Sequence, residues 1–271
     1  VFSPYYAWAR RRGPADPEHF CALNVALYGP GRKRWALTER PAFALQRDRR
    51  ELAIGPSSLV WDGDALTIRI AETTVPFPSR LRGTVRVHPG GLSGHTATLD
   101  AGGRHRWSPI APVGRVEVAM EEPTLRWSGH AYLDSNAGDR PLEDDFIRWD
   151  WSRADVRDGA ALLYDVTRRD GSDLSLALRA DADGVTPFEP PPRAALPSTG
   201  WRVRRGTRCD AGFTPAVRRT LEDTPFYARS VLDTRLLGQD AVAMHESLSL
   251  DRFRNPVVQM MLPFRMPRAR R

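Results

Sequence analysis

The sequence predicts a mostly antiparallel all-β protein, and three observations carry that prediction. Apolar and polar residues alternate with period two in short runs, as expected of strands with one buried face. Gly, Pro and Asp punctuate the runs, with 21 Gly and 23 Pro among 271 residues. Long stretches with helical apolar spacing are scarce.

Taken in order, a first series of strands is expected at 22–28, 34–39, 58–61, 65–71, 83–87 and 115–120. In 65–71, Leu66, Ile68 and Ile70 alternate with Thr67 and Arg69, and in 115–120, Val116, Val118 and Met120 alternate with Arg115 and Glu117. Asp62-Gly63-Asp64 and Pro89-Gly90-Gly91 have turn composition and separate them. A second series is expected at 124–134, 146–151, 160–167, 174–179, 201–204, 227–236 and 241–248. More than a dozen short strands exceed one eight-stranded barrel, so two barrels or a pair of sandwiches are needed. Residues 135–141, Ser-Asn-Ala-Gly-Asp-Arg-Pro, have loop composition near the middle of the chain. They divide it into expected domains at 1–138 and 139–271. The Pro-rich stretch 187–197 is read as a long loop within the second half. The opening Val1-Phe2-Ser3-Pro4-Tyr5-Tyr6-Ala7-Trp8 reads as a structured segment, and a targeting peptide is not visible in it.

Composition excludes several classes. A chain of this length buries enough surface for a core without metal or disulfide support. No run approaches the ~18 apolar residues that a spanning helix requires. Basic residues number 40 against 33 acidic, a net charge of +7, and 39 of the 40 are Arg, with Lys33 the exception. A GC-rich coding sequence accounts for Arg over Lys; an anionic surface is the functional reading. The clusters Arg10 to Arg12, Arg202, Arg204, Arg205 and Arg208, and Arg265, Arg268, Arg270 and Arg271 are spread along the chain, and no nucleic-acid module accompanies them. Cys21 and Cys209 stand in no metal-ligand or redox spacing and read as ordinary thiols of a reducing compartment. Glu143, Asp144, Asp145 and Asp150 lack histidines at ligand spacing, are interleaved with Trp149 and Trp151, and read as a solvated edge plus a structural motif, so no metal is expected.

Two extended segments place chemistry-bearing side chains together. His105 and Trp107 are two apart and share a face; His130, Tyr132 and Asp134 likewise share one, with Trp127 and Leu133 opposite. Spacing alone leaves two readings, a polar site inside an apolar protein or the outer face of a half-buried sheet. His19, His88, His95 and His245 are isolated. Phosphate loops, serine elbows and CxxC pairs are not found.

Several blocks, taken together, carry a resemblance. They are Phe2-Ser3-Pro4-Tyr5-Tyr6-Ala7-Trp8-Ala9-Arg10, the run from Cys21 through Asn24 to Gly29, Trp35-Ala36-Leu37-Thr38-Glu39-Arg40, His105-Arg106-Trp107-Ser108-Pro109 and Ala131-Tyr132-Leu133-Asp134-Ser135-Asn136-Ala137-Gly138. Pro141-Leu142-Glu143 with Phe146, Trp149, Trp151, Ser152 and Arg153 completes them. The sequence resembles the carotenoid 1,2-hydratase family, also called hydroxyneurosporene synthase, over most of its first two-thirds. The resemblance implies two tandem lipocalin-like antiparallel β-barrels. It implies water addition to the terminal double bond of an acyclic carotenoid such as neurosporene or lycopene, without cofactor or redox change. It ties activity to a His and Trp two apart and a Tyr and Asp two apart, here His105, Trp107, Tyr132 and Asp134.

The chemistry gives each a role. Protonating an unactivated alkene needs a positioned acid, and burial keeps an Asp protonated near neutral pH. Asp134 is the expected donor, oriented by Tyr132, with the rings of Trp107 and Tyr132 facing the carbocation and neutral His105 taking the proton of the attacking water. Exchange of the acid and base roles is the internal alternative. His130 and Trp127 are expected to line the substrate site. An isoprenoid cyclase or isomerase of the same fold group, and a non-catalytic carrier of a hydrophobic ligand, are the rival functions. A carotenoid resides in a bilayer, so the expected location is the cytoplasm, peripherally bound to the bacterial inner or intracytoplasmic membrane. Basic residues near an anionic surface contribute about 1 kcal/mol each.

Overall fold

A computed structural model describes residues 2–29 and 33–269. Val1 of the opening segment and Arg270 and Arg271 of the last basic cluster lie outside the described residues. The protein is mostly strand, in antiparallel sheets, which is the all-β class that the alternation predicts. Two compact units are interleaved along the chain: residues 1–89, 114–131 and 259–271 form the first, and 90–113 with 132–258 the second. The boundary expected at 138–139 falls in the sequence of the second unit.

The first unit opens with helix α1 (Pro4–Arg10). Ser3 caps it by accepting the Tyr6 N–H at 2.9 Å, and Pro4 at the first helical position needs no amide donor. Strands β1 (Asn24–Leu27) and β2 (Arg34–Leu37) form a two-stranded ribbon. The larger sheet contains β3 (Leu45–Arg47), β4 (Glu51–Ile54), β5 (Ser57–Trp61), β6 (Leu66–Thr73), β7 (Arg80–Pro89), β8 (Ala97–Thr98), β9 (His105–Glu122) and β10 (Leu125–Gly138). Its order is β10-β9-β7-β6-β5-β4-β3, with β8 paired to the start of β9. Residues 90–113 and 132–138, including β8 and one end each of β9 and β10, belong to the second unit. Ile70, Leu81, Val87, Val116, Val118 and Met120 point into one core, following the alternation read from sequence. At the β7 bulge, Gly83 has φ +155°, and a Cβ there would lie 2.6 Å from the Met120 Cα, so only glycine admits that approach. Buried Glu72 is ion-paired with Arg40 at 2.7 Å and accepts the Ser57 hydroxyl at 2.6 Å, as an enclosed charge requires.

The second unit is built on β11 (Phe146–Val156), β12 (Gly159–Arg168), β13 (Asp173–Asp181), β14 (Gly184–Pro187), β17 (Ala216–Asp223), β18 (Tyr227–Leu236) and β19 (Gln239–Ser249), after the short helix α2 (Leu142–Asp145). The order β14-β13-β12-β11-β19-β18-β17 joins two meanders through the β11–β19 pair. The ribbon β15 (Arg193–Leu196) with β16 (Arg205–Arg208) lies between them in sequence, and α3 (Leu250–Arg254) and α4 (Pro256–Met261) follow. Leu237 and Gly238, both with positive φ, form the two-residue turn between β18 and β19, and Asp210 accepts both of their amides. Leu163, Leu232 and Leu236 with Ala154, Ala161 and Ala243 make the core of one sheet face.

Four sequence expectations are corrected. Residues 201–204 are not a strand: Arg202 has φ +56° and its amide closes a turn onto the Thr199 carbonyl, so pairing begins only at Arg205. The Pro-rich stretch 187–197 contains β15. Asp145 and Asp150 are not a solvated edge. Asp145 takes ion pairs from Arg104 and Arg140 and is hydrogen-bonded with His105 Nε2, and buried Asp150 accepts from Arg148, Ser247 and the Gly206 amide. Arg205 and Arg208 are likewise internal: Arg205 bonds Ser230 and Thr220, and Arg208 grips Asp165 through Nε and Nη2.

Candidate active site

The site is built on the second unit. Tyr132 and Asp134, two apart on β10, are half-buried and share a face. Trp107 on β9 is fully buried, and its indole N–H donates to Asp134 Oδ2 at 2.8 Å. The Tyr132 hydroxyl donates to the same oxygen at 3.0 Å. One carboxyl oxygen thus receives two fixed donors, which orient the group.

The aromatic surroundings come from β11 and β12. Alternation along β11 sends Trp149, Trp151 and Arg153 to one side and Asp150, Ser152 and Ala154 to the other. Register places Tyr164 of β12 opposite Trp151, and Glu246 of β19 on its other flank. The ring centroids of Trp107 and Tyr164 are 5.1 Å apart, those of Tyr132 and Trp151 5.2 Å, and those of Trp149 and Tyr164 6.0 Å. The Arg153 guanidinium stands 5.9 Å from the Tyr132 ring centre.

Burial in this cluster raises the Asp134 pKa; the Trp107 and Tyr132 donors oppose the rise and the charge of Glu246 adds to it. Tyr132 is raised by burial and then by the Asp134 charge, and Tyr164 by burial and then by the charges of Asp134 and Glu246. Both phenols therefore remain donors. A carboxyl held toward its neutral form among aromatic faces is equipped to give a proton to an apolar substrate.

His105 shares the buried face of β9 with Trp107, two residues on. Nε2 of its ring lies 2.7 Å from Asp145 Oδ2, and the ring packs on Phe146 at 4.8 Å. Its Nδ1 has no hydrogen-bond partner among the described residues and sits against Gly138, where a Cβ would lie 2.7 Å away. The structure brings Trp107, Tyr132 and Asp134 together and sets His105 on Asp145, a carboxylate it shares with Arg104 and Arg140.

The family model for carotenoid hydratase CrtC matches residues 1–271. The chain belongs to this family. It is 62% identical to the acyclic carotenoid 1,2-hydratase of Thiocapsa roseopersicina, over 99% of this chain and 67% of that protein. It is 51% identical to the Rubrivivax gelatinosus enzyme of the same name, with the same coverages. The Cereibacter sphaeroides enzyme is 42% identical over 99% of this chain and 95% of its own length. A solved structure, of CghA with Sch210972, aligns at TM-score 0.43 and 10% identity, over 81% of this chain and 80% of that one.

In this member of the carotenoid hydratase family, Trp127 is 48% exposed and His130 is exposed, both on β10 in the first unit. Sequence reasoning missed Tyr164 and Glu246, which reach the cluster only through strand register. A cleft of about 560 Å³ lies elsewhere, lined by Arg148, Asp150, Asp165, Arg193, Arg205 and Thr207. Its carboxylates, Asp150 and Asp165, are ion-paired with Arg148, Arg193 and Arg208, and so charged a lining suits a hydrocarbon poorly. Among the described residues no group of His, Cys, Asp and Glu is arranged to hold a metal. Cys21 and Cys209 are free thiols, and Cys209 Sγ donates to the Phe213 carbonyl at 3.2 Å.

Proposed function

We propose that this chain is an acyclic carotenoid 1,2-hydratase, a hydro-lyase that adds water across the terminal C1–C2 double bond of a carotenoid such as neurosporene or lycopene. The supporting observation is Asp134, a carboxyl raised toward its protonated form by burial and aimed by Trp107 and Tyr132 within a ring of aromatic side chains. The names of the relatives agree with it. Asp134 gives its proton to C2, which leaves a tertiary cation at C1. The faces of Tyr132, Trp149, Trp151 and Tyr164 then stabilise the positive charge, each ring contributing about 0.5–2 kcal/mol. Water bonds to C1 and loses a proton, giving the tertiary alcohol. His105, held by Asp145, acts as a positioning residue for the β9–β10 segment that carries Trp107 and Asp134.

The test is turnover of neurosporene or lycopene in oxygen-18 water. Labelled alcohol is the expected product; an isomerised hydrocarbon, as a cyclase or isomerase gives, or substrate returned unchanged, as a carrier gives, overturns the reading.

The substrate's bilayer home supports a peripheral location at the cytoplasmic face of a bacterial inner or intracytoplasmic membrane. No helix among the described residues is long and apolar enough to cross a membrane. Val257, Met260 and Phe264 are 60%, 62% and 77% exposed, close in sequence to exposed Arg254. Exposed apolar side chains close in sequence to a cation suit the interface of an anionic bilayer. Replacing Met260 and Phe264 with Ser should lower co-sedimentation with phosphatidylglycerol vesicles; unchanged binding removes this segment from the membrane contact.

A further inference from the structure

Hydration needs two proton movements, one onto carbon and one off the attacking water, and the cluster around Asp134 accounts for the first. The group that serves the second must be an acceptor near the developing cation. His105 is poorly placed, since Nε2 is taken by Asp145 and Nδ1 faces the backbone at Gly138.

Resting on the hydratase reading, we propose that Glu246 is the base that receives the proton of the attacking water, with the Trp151 indole N–H holding that water's oxygen. Three observations place it there. Glu246 stands directly across the β11–β19 pair from Trp151, whose ring packs on Tyr132. Its charge acts on both Asp134 and Tyr164, so the carboxylate belongs to the same cluster. Arg229 grips it through Nε at 2.9 Å and Nη2 at 2.6 Å, both on Oε1, which fixes the side chain. The Trp151 Nε1 is buried without a hydrogen-bond partner among the described residues, and a buried donor of this kind is satisfied by an acceptor such as a water oxygen.

The step balances. The O–H bond of Asp134 breaks and its proton forms the new C2–H bond, using the π electrons. A lone pair of water forms the C1–O bond, and one water proton passes to Glu246. Solvent returns that proton to Asp134, so alkene and water become alcohol with nothing oxidised or reduced.

The test separates the two proton movements. Wild type and the variants Glu246→Gln, Asp134→Asn and Trp151→Phe are given lycopene in deuterium oxide enriched in oxygen-18. Both the alcohol and the recovered carotenoid are analysed by mass. Wild type should give labelled alcohol; if it gives none, the hydratase reading itself fails and this assignment with it. Glu246→Gln should lose about 10²-fold or more in hydration while the recovered carotenoid still gains deuterium, because Asp134 still protonates C2 and its carboxylate can take a proton back. Asp134→Asn should lose both signals. Hydration by Glu246→Gln within threefold of wild type overturns the proposal, as does a parallel loss of hydration and deuterium uptake. Trp151→Phe keeps an aromatic ring on the Tyr132 side and removes the N–H together with the pyrrole half of the indole. Its expected result is the same split in weaker form, and it carries the test if Glu246→Gln does not fold, with a parallel loss again overturning the assignment.

Discussion

Removing the hydroxyl of Tyr132 isolates one contribution to the acidity of Asp134. Phenylalanine at 132 retains the ring against Trp151 at 5.2 Å and beneath Arg153 at 5.9 Å, and leaves the Trp107 donor at 2.8 Å in place. What is lost is the 3.0 Å bond to Asp134 Oδ2. A hydrogen bond to a charged group contributes about 1.5–3 kcal/mol. It favours the ionised carboxylate, so its loss makes Asp134 hold its proton to higher pH. At 1.36 kcal/mol per unit, the alkaline limb of the kcat/KM profile should move up by about one to two pH units. The acid is weaker as well, so the plateau rate should fall, by roughly tenfold. The assay is hydration of solubilised lycopene between pH 6 and 10, beside wild type. A limb that stays in place shows that the titrating acid does not feel Tyr132, and one that moves down shows that the hydroxyl had favoured the protonated acid instead of the carboxylate; either refutes the reasoning.

Three further outcomes follow from the same structure. Because the folded pKa of Asp134 lies above its ordinary value through burial, the folded state holds a proton that the unfolded chain releases, and stability falls as pH rises from the usual carboxylate range through the raised value. Asp134→Asn is free of this dependence, so it should be inactive yet melt above wild type at pH 8, with the gap closing toward pH 4 in calorimetric scans. Asp145→Asn weakens the hold on His105 and on Arg104. It should lower kcat by about 10- to 100-fold with KM little changed, a split that steady-state kinetics reads. Leu232→Ala empties a fully buried position in the core of the second unit and should cost about 2–5 kcal/mol in urea unfolding.

The fold class was legible because one-sided strands announce themselves by period two. Strand β18 is found at the predicted limits, 227–236, and β19 within two residues of its predicted start and one of its end. What hid the rest was broken period. Strand β17 carries register shifts after Val217 and after Thr220, so its apolar residues do not alternate. Strand β9 begins at His105, ten residues before the run that the sequence exposes, because Pro109 and Pro112 interrupt it and proline is seldom expected inside a strand. Strand β11 is buried at five consecutive positions, 150–154, including Asp150, Ser152 and Arg153, so polarity gave no clue to which face was inside.

The same burial of β11 on both faces explains how the candidate site was half read. His105 with Trp107, and Tyr132 with Asp134, could be paired from spacing within single strands, a local property, and only the family resemblance joined the two pairs. Trp149, Trp151 and Arg153 share a face by the same rule, yet which partners they meet depends on the pairing of β11 with β12 and β19, formed by residues up to about a hundred positions away. One residue of slip in β19 would exchange Glu246 for His245 beside Trp151, replacing a carboxylate gripped by Arg229 with an imidazole that instead bonds the Gly206 carbonyl at 2.7 Å. The register is held from the opposite face, where Asp150 binds Ser247 and the Gly206 amide. That buried polar cluster, far from any hydrocarbon chemistry, therefore decides which acid stands next to Asp134.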